Sequence, residues 1–340
     1  MMMRSCLALL RQADELRHRD PRAAVRVAEG GRDLAARLDR EKVGQARWLA
    51  LQAEAWAVLG SAYRAVADQR RAENAFNVAG TFLDTWERRR CLDPLARPRL
   101  AQRASYLRCD QGRFEEAMEL NGEAMTAYRE LAATQHFAGT LVDRALFLGR
   151  QQKTRTAMAC LVPALYLLDP VASSRSYRAA VHNMTIYLHE SSEGEPQDPE
   201  AGRWLALAAR QHARFPDDVD HQKFRMLEGS VAIRLGAVDE GIRKLWMAHD
   251  GFERLGSLHN QAVVLLQLAG ISLARGETAN VRKIAGRLFP VLRRLNVDRE
   301  TNAALMLFYK AAQADAVTRD LLDRALRGVG EGRGALQLTI

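Results

Sequence analysis

Apolar residues recur along the chain at the spacing of an amphipathic helix, and the clearest example lies in residues 53–80. There Trp56, Leu59, Gly60 and Tyr63 stand at positions i, i+3, i+4 and i+7, so they form one stripe on a first helix. A short polar turn follows, and the same periodicity then resumes. The pattern predicts two helices joined by a tight turn.

Small residues stand where these two helices would be closest. Gly60 on the first helix and Ala72 on the second lack bulk, so an antiparallel pair can approach closely. Phe76 and Ala79 extend the apolar stripe along the second helix. A single pair of this kind leaves apolar surface exposed, which predicts that further pairs stack on it.

The composition favours helices throughout. The chain of 340 residues is 48% hydrophobic but only 6% aromatic. It is rich in Ala, Leu and Arg, and no stretch alternates apolar and polar residues as a strand does, so we predict an all-α fold. The tryptophans stand among apolar neighbours at helical spacing, which predicts that they pack in the core: Trp48, Trp56, Trp86, Trp204 and Trp246.

The spacing W-x2-L-G-x2-Y followed by A-x3-F resembles the tetratricopeptide repeat (TPR). Weaker copies recur about every 40 residues, a longer period than the family's usual length of about 34, and similar to long-period arrays of bacterial regulators. This resemblance implies a right-handed α-solenoid of antiparallel helix pairs, a TPR-like superhelix. The further copies begin near Pro98, Ala138, Arg178, Gln222 and Ala262.

The repeat frame divides the chain into four parts. Residues 1–42 are expected to form an N-terminal capping helix pair, with Gly30–Gly31 at a close contact between helices. Residues 43–297 hold six TPR-like units, and residues 298–327 form C-terminal capping helices. Residues 328–340 are rich in glycine and are expected to be a disordered tail.

The chain is basic, with a formal net charge of +9 and a pI of about 9.7. Such a balance would suit nucleic-acid binding, but acidic residues are interspersed through most of the predicted helices, so this interpretation is less favoured.

No apolar run reaches the roughly 18 residues of a membrane span, and the apolar run at the N-terminus is too short for a signal peptide. We expect a cytoplasmic protein without a membrane segment.

The sequence lacks the motifs of the common enzyme classes, including the Gly-rich nucleotide-binding loops and the G-x-S-x-G nucleophile motif. His182 and His189 stand two turns apart, too far to bind one metal without further ligands. We therefore predict that the protein is not an enzyme and has no catalytic residues, no metal site and no cofactor.

The cysteines form no C-x-x-C pair and are expected to be reduced thiols: Cys6, Cys91, Cys109 and Cys160.

Resemblance to the TPR family also implies where a ligand would bind. In that family the first helix of each unit lines a concave groove, and a few set positions on it contact the ligand. In this chain those positions carry mixed charge, without the Asn-plus-Lys set by which some members hold a C-terminal carboxylate. They are Arg64, Gln102, Tyr106, Asp143, Arg150, His182, Asn183, His189, Lys223, Arg234 and Gln267.

We interpret the chain as a non-enzymatic scaffold or adaptor that binds a protein segment or peptide in this groove. The alternative is a regulatory module that senses a ligand or a peptide and acts on a separate effector. Nucleic-acid binding is the least favoured of the three.

Overall fold

The computed structural model describes residues 2–18, 20–87, 93–172, 174–191, 199–214, 219–294 and 299–329. Within these ranges all regular secondary structure is α-helical, as the sequence predicts. The helices are α1 Met2–Leu16, α2 Pro21–Ala36, α3 Arg40–Val43, α4 Gln45–Ala65, α5 Gln69–Glu87, α6 Ala96–Asp110, α7 Phe114–Glu130, α8 Thr134–Arg150, α9 Thr154–Leu167, α10 Ser174–Ser191, α11 Pro199–His212, α12 Val219–Arg234, α13 Val238–Arg254, α14 Leu258–Ala274, α15 Thr278–Leu292, α16 Arg299–Gln313 and α17 Arg319–Gly328.

Local sequence signals explain how the first pair begins. Asp20 precedes α2, and its Oδ1 accepts a hydrogen bond of 2.9 Å from the backbone N–H of Ala23. Pro21 occupies the first turn of α2, where a missing backbone donor costs nothing. The short α3 is capped in the same way by Asp39, and Gly44, whose φ is +83°, then allows the sharp turn into α4.

The helices form two compact units, which divide between Tyr177 and Arg178 within α10. In unit 1, neighbouring helices pack as the pairs α1/α2, α4/α5, α6/α7 and α8/α9. In unit 2 the pairs are α12/α13, α14/α15 and α16/α17. The pairing confirms the predicted fold class of stacked antiparallel helix pairs. The division into caps, six repeats and tail stays a prediction, and most of its tail lies outside the described residues.

Glycines allow close contacts between the paired helices at several predicted positions. A Cβ atom added to Gly60 would lie 2.7 Å from Cε1 of Phe76, so α4 and α5 touch there. In unit 2, a Cβ on Gly241 would lie 2.6 Å from the backbone oxygen of Gly229. The expected close helix contact at Gly30–Gly31 is present at Gly31, which faces Leu10 of α1. Gly30 makes no such contact, because it faces open space.

Replacing Gly60 with alanine is expected to lower the free energy of unfolding by about 1–3 kcal/mol. The new methyl group would meet the ring of Phe76, which is buried and cannot move aside without disturbing the α4/α5 contact. Urea unfolding monitored by circular dichroism measures the change.

Gly80→Ala is the matched control on α5, because a Cβ there meets no atom within 4 Å. This substitution is expected to stabilise the protein by about 0.5–1 kcal/mol, through the better helix propensity of alanine. Equal effects of the two changes would contradict the assigned contact.

The prediction that the tryptophans pack in the core is met in part: Trp48 and Trp56 pack against the buried cluster of unit 1, but no described tryptophan is fully buried. Trp48, Trp56, Trp204 and Trp246 are half-buried, and the side chain of Trp86 lies outside the described residues. Three of these rings lie beneath arginines: the guanidinium carbons of Arg32, Arg40 and Arg287 stand 5.3, 5.5 and 4.7 Å from the ring centres of Trp56, Trp48 and Trp246. The stripe identified the helix faces correctly, but these large rings are only half-buried.

The described cysteines Cys6, Cys109 and Cys160 are free thiols, as expected, and Cys91 lies outside the described residues. None of the described helices is long and apolar enough to cross a membrane.

Candidate functional site

Unit 1 contains a cavity of about 450 Å³ whose walls come mainly from the first helices of successive pairs. Helix α6 contributes Arg99, Gln102, Arg103 and Tyr106, which share one face because they stand at i, i+3, i+4 and i+7. The turn after α1, helices α4 and α8, and the chain at the start of α10 complete the walls. The other lining residues are Arg17, Ser61, Arg64, Gln135, His136, Gly139, Ala172, Arg175 and Ser176.

Five arginines line this cavity, and among the described residues no carboxylate lines it. The acidic partners of four of these arginines are not among the residues that line the cavity. Arg64 is 2.7 Å from Asp110, and Arg103 is 3.2 Å from Glu54 and 3.7 Å from Asp14. Arg17 also pairs with Asp14, and Arg99 pairs with Asp93. The surface presented to a ligand is therefore positive. We name this space the arginine cavity.

The lowered pKa of Arg17 results from its burial and from the other positive charges nearby. Burial lowers its pKa to about 10; the ion pair with Asp14 opposes this shift, while the charges of Arg103, Arg175 and Arg64 add to it. An anion in the cavity would therefore relieve repulsion among these side chains.

Behind the cavity wall, the carboxyl group of Asp143 holds two of its residues in place. Gln102 Nε2 donates to Asp143 Oδ2 at 2.7 Å, and the hydroxyl of Tyr106 donates to Oδ1. Tyr128 in turn donates its hydroxyl hydrogen to Gln102 Oε1 at 3.1 Å. Asp143 is fully buried, so it fixes the orientation of Gln102 and Tyr106 from within α8.

Asp110 links the two predicted site arginines of unit 1, Arg64 and Arg150. Its carboxylate accepts hydrogen bonds of 2.7 Å from Arg64 of α4 and from Arg150 of α8. The guanidinium of Arg64 also lies 5.0 Å from the ring centre of Tyr106. Of the sequence-predicted site residues, Arg64, Gln102 and Tyr106 thus line the cavity, whereas Asp143 and Arg150 support those residues.

The remaining predicted residues lie in unit 2 and differ in burial. His182 and Asn183 are fully buried, while His189, Lys223 and Gln267 are half-buried and Arg234 is exposed. His182 Nδ1 lies 3.2 Å from His212 Nε2, and Phe224 stacks on the His212 ring. Burial lowers the pKa of His212, with further contributions from His182 and Arg178, so that ring is neutral. The role of these six residues in ligand binding stays a prediction.

One group in unit 2 has the ligand types of a metal site. The ligand atoms of His249, Asp250 and Glu253 lie within 4.8 Å of one another on α13. Asp250 and Glu253 are exposed on the helix surface, so water would have to supply the other ligands of an ion bound there. Exposed acidic groups of this kind are common without a metal.

Several residues of the arginine cavity were missed by the sequence reasoning. Arg99 and Arg103 share the helix face of Gln102 and Tyr106, so the spacing on α6 could have identified them. Arg17 and Arg175 come from distant parts of the chain. Nothing in the local sequence around them indicates that folding brings them together.

The pKa of Asp143 gives a testable pH dependence. Burial raises this pKa to about 7, although the hydrogen bonds from Tyr106 and Gln102 lower it. Between about pH 4, near the pKa of Asp143 in the unfolded chain, and pH 7, the folded protein binds more protons at Asp143 than the unfolded chain does. The contribution of Asp143 to the free energy of unfolding therefore falls as pH rises through this range. In Asp143→Asn that contribution is absent. Relative to wild type, the variant's stability should rise by on the order of 1–3 kcal/mol between pH 4 and pH 8.

Urea titrations of both proteins at several pH values provide this comparison, and the titration of all other groups cancels in the difference. Parallel stability profiles for wild type and Asp143→Asn would show that Asp143 is not a buried carboxyl with a raised pKa.

Comparison with known proteins identifies the fold. No protein-family model and no curated protein sequence matches the chain. Among solved structures, a Rap protein complexed with competence and sporulation factor is similar over 95% of this chain and 86% of its own, with a TM-score of 0.65 and 12% identity.

Two further Rap structures are similar, each with a TM-score of 0.55. One is the Rap conjugation gene regulator of plasmid pLS20 in complex with the Phr* peptide, at 11% identity over 96% of this chain and 98% of its own. The other is the apo form of RapI, at 12% identity over 95% of this chain and 85% of its own. Identities this low establish a shared architecture alone. The chain has the TPR-like helical-repeat fold that is seen in the Rap proteins.

Proposed function

We propose that this chain is a non-enzymatic TPR-type module that binds a peptide or protein segment, with the arginine cavity of unit 1 as its binding site. The observation that carries the proposal is the cavity itself. First helices of successive pairs build its walls, and Arg64, Gln102 and Tyr106 line it at positions that the repeat frame had selected.

The chemistry of the lining residues suits binding better than catalysis. Guanidinium groups keep their charge across the physiological pH range, so they hold anions and hydrogen-bond acceptors and rarely transfer protons. The comparison supports a peptide as the ligand class, because one of the similar Rap structures is a complex with the Phr* peptide and another is a complex with competence and sporulation factor.

A regulatory role is the second candidate, in which a bound ligand changes how the protein acts on a separate effector. The link through Asp110 favours it. Because Arg64 lines the cavity and shares Asp110 with Arg150, a ligand that draws Arg64 away alters an ion pair joining α4, α6 and α8. Binding could thus be transmitted to three helices at once.

Selection from a random peptide library tests the proposal without assuming a ligand. The full chain is immobilised, a displayed library of random decapeptides is passed over it, and the recovered sequences are compared with those from an empty support. Peptides that bind the wild type should lose affinity for Arg64→Gln and Tyr106→Ala. Recovery of no peptide beyond the empty-support background, or of peptides that bind both variants as well as wild type, would overturn it.

A further inference from the structure

A second cavity in unit 1 adjoins the arginine cavity. It has a volume of about 290 Å³, and its walls are mainly alanine and leucine side chains, with Met3 of α1 among them. Arg99 and Arg103 line both cavities, so these two side chains form the boundary between them. We name the second space the apolar cavity. Arg47 also lines it. Its alanine and leucine lining residues are Leu7, Ala50, Leu51, Ala53, Ala57, Leu83, Ala96 and Leu100.

The acidic partners of the two boundary arginines line one cavity only. Glu54 and Asp93, the ion-pair partners of Arg103 and Arg99, line the apolar cavity and not the arginine cavity. Arg99 and Arg103 line both cavities, and each therefore pairs with a carboxylate that lines the apolar cavity.

Both boundary arginines also have an N–H group that donates no hydrogen bond to any described residue. Arg103 Nη1 and Arg99 Nε are buried and have no hydrogen-bond partner among the described residues. A buried donor without an acceptor is costly, and a planar guanidinium can bind a second carboxylate through its remaining N–H groups. The arrangement is thus ready for an additional anionic acceptor.

From this geometry, and resting on the proposed function, we infer that the ligand carries a carboxylate next to a bulky apolar side chain. The carboxylate binds among the guanidinium groups of the arginine cavity near Arg99 and Arg103. The neighbouring apolar side chain, of the size of leucine or phenylalanine, enters the apolar cavity. The ligand class is therefore an acidic peptide with an adjacent apolar residue.

A nucleic acid is the less suitable anion for this site. Phosphate backbones are bound by exposed cations spread along a surface. Here the arginines line a cavity, and four of them form ion pairs with acidic residues. Among the described residues, no aromatic side chain on which a base would stack lines the adjoining apolar cavity, and the aromatic rings of the arginine cavity are those of Tyr106 and His136. A single carboxylate with one apolar neighbour matches this volume and polarity better.

Four pools of labelled decapeptides test the inference by fluorescence anisotropy against the full chain. All four pools exclude Asp and Glu outside the fixed pair. The first three pools have blocked ends and otherwise random sequence around that pair, which is Asp-Leu, Asn-Leu or Asp-Ser. The Asp-Leu pool should bind at least tenfold more tightly than the Asn-Leu pool, since it alone supplies a charged acceptor. It should also bind more tightly than the Asp-Ser pool, because serine leaves the apolar cavity unfilled.

The fourth pool ends in Asn-Leu with a free terminal carboxylate, which separates the two sources of the charge. Tight binding of this pool would assign the carboxylate to the end of a chain and still support the inference. Equal affinities of the Asp-Leu, Asn-Leu and free-end pools would overturn it. In a competition experiment, a twelve-residue oligothymidylate is added to the complex with the Asp-Leu pool. If the oligothymidylate displaces the peptides and binds more tightly than they do, the inference is overturned in favour of nucleic acid.

Protein variants provide an independent readout. Arg103→Gln should reduce the preference for Asp-Leu over Asn-Leu at least fivefold. Arg155→Gln, an exposed arginine on α9 outside both cavities, should leave that preference unchanged. Because the comparison between pools uses the wild-type protein, it remains decisive even when Arg103→Gln fails to fold. If the random-library selection recovers peptides that have neither an acidic side chain nor a free C-terminal carboxylate next to an apolar residue, this inference fails while the proposed function stands.

Discussion

Phe147→Ala is expected to lower the free energy of unfolding by about 3–5 kcal/mol, the range for removing a fully buried aromatic ring. Phe147 of α8 has no exposed surface. Its ring meets that of Tyr106 edge to face, with centroids 5.6 Å apart, and it belongs to a cluster with Cys109, Ala117 and Leu146. Alanine would leave a cavity between α6 and α8 that the close-packed helices cannot collapse to fill. Thermal and urea unfolding of both proteins measure the loss.

Trp56→Ala is the informative comparison, because tryptophan is the larger side chain and the centre of the repeat motif. Its ring is half-buried and covered on one side by Arg32, so we expect a loss of only about 1–2 kcal/mol. A loss for Trp56→Ala equal to or greater than that for Phe147→Ala would show that the motif tryptophan is the true core residue of this unit.

Helical periodicity assigns residues to a face, and on this point the sequence was sufficient. Leu59, Tyr63 and Phe76 are buried where the stripe placed them, and Gly60 makes the predicted close contact. Periodicity does not state how far a ring at the edge of a stripe reaches towards solvent, since this depends on the neighbouring helix. The half-buried position of Trp56 is set by α2, whose Arg32 lies over the ring.

The candidate site could be predicted only in part, because spacing along one helix does not show which distant residues pack beside it. The repeat frame selected Arg64, Gln102 and Tyr106, because positions on the first helices follow from spacing alone. Arg17 and Arg175 join the same cavity from opposite ends of unit 1, and long-range packing brings them there. The raised pKa of Asp143 likewise follows from complete burial, which no local pattern of charges encodes.

Asp110→Ala should destabilise the protein by about 2–4 kcal/mol, because it removes the shared partner of two arginines. Both Arg64 and Arg150 lie 2.7 Å from the Asp110 carboxylate. Burial raises the pKa of this carboxyl group, but the two guanidinium groups lower it by more, so it is ionised in the folded protein. Removing one member of a buried ion pair typically costs about 3–5 kcal/mol. The side chain of Asp110 is 25% exposed, and solvent screening reduces the expected value accordingly.

The matched control is Asp84→Ala, which removes an ion pair of 2.5 Å with Arg97. That pair is about half exposed on both sides, so its loss should cost no more than about 1 kcal/mol. Urea unfolding of both variants in low and moderate salt separates the two cases, since salt screens the exposed pair more strongly. Similar small losses for Asp84→Ala and Asp110→Ala would contradict the link between α4, α6 and α8. Arg64 and Arg150 would then be free to serve as independent ligand contacts.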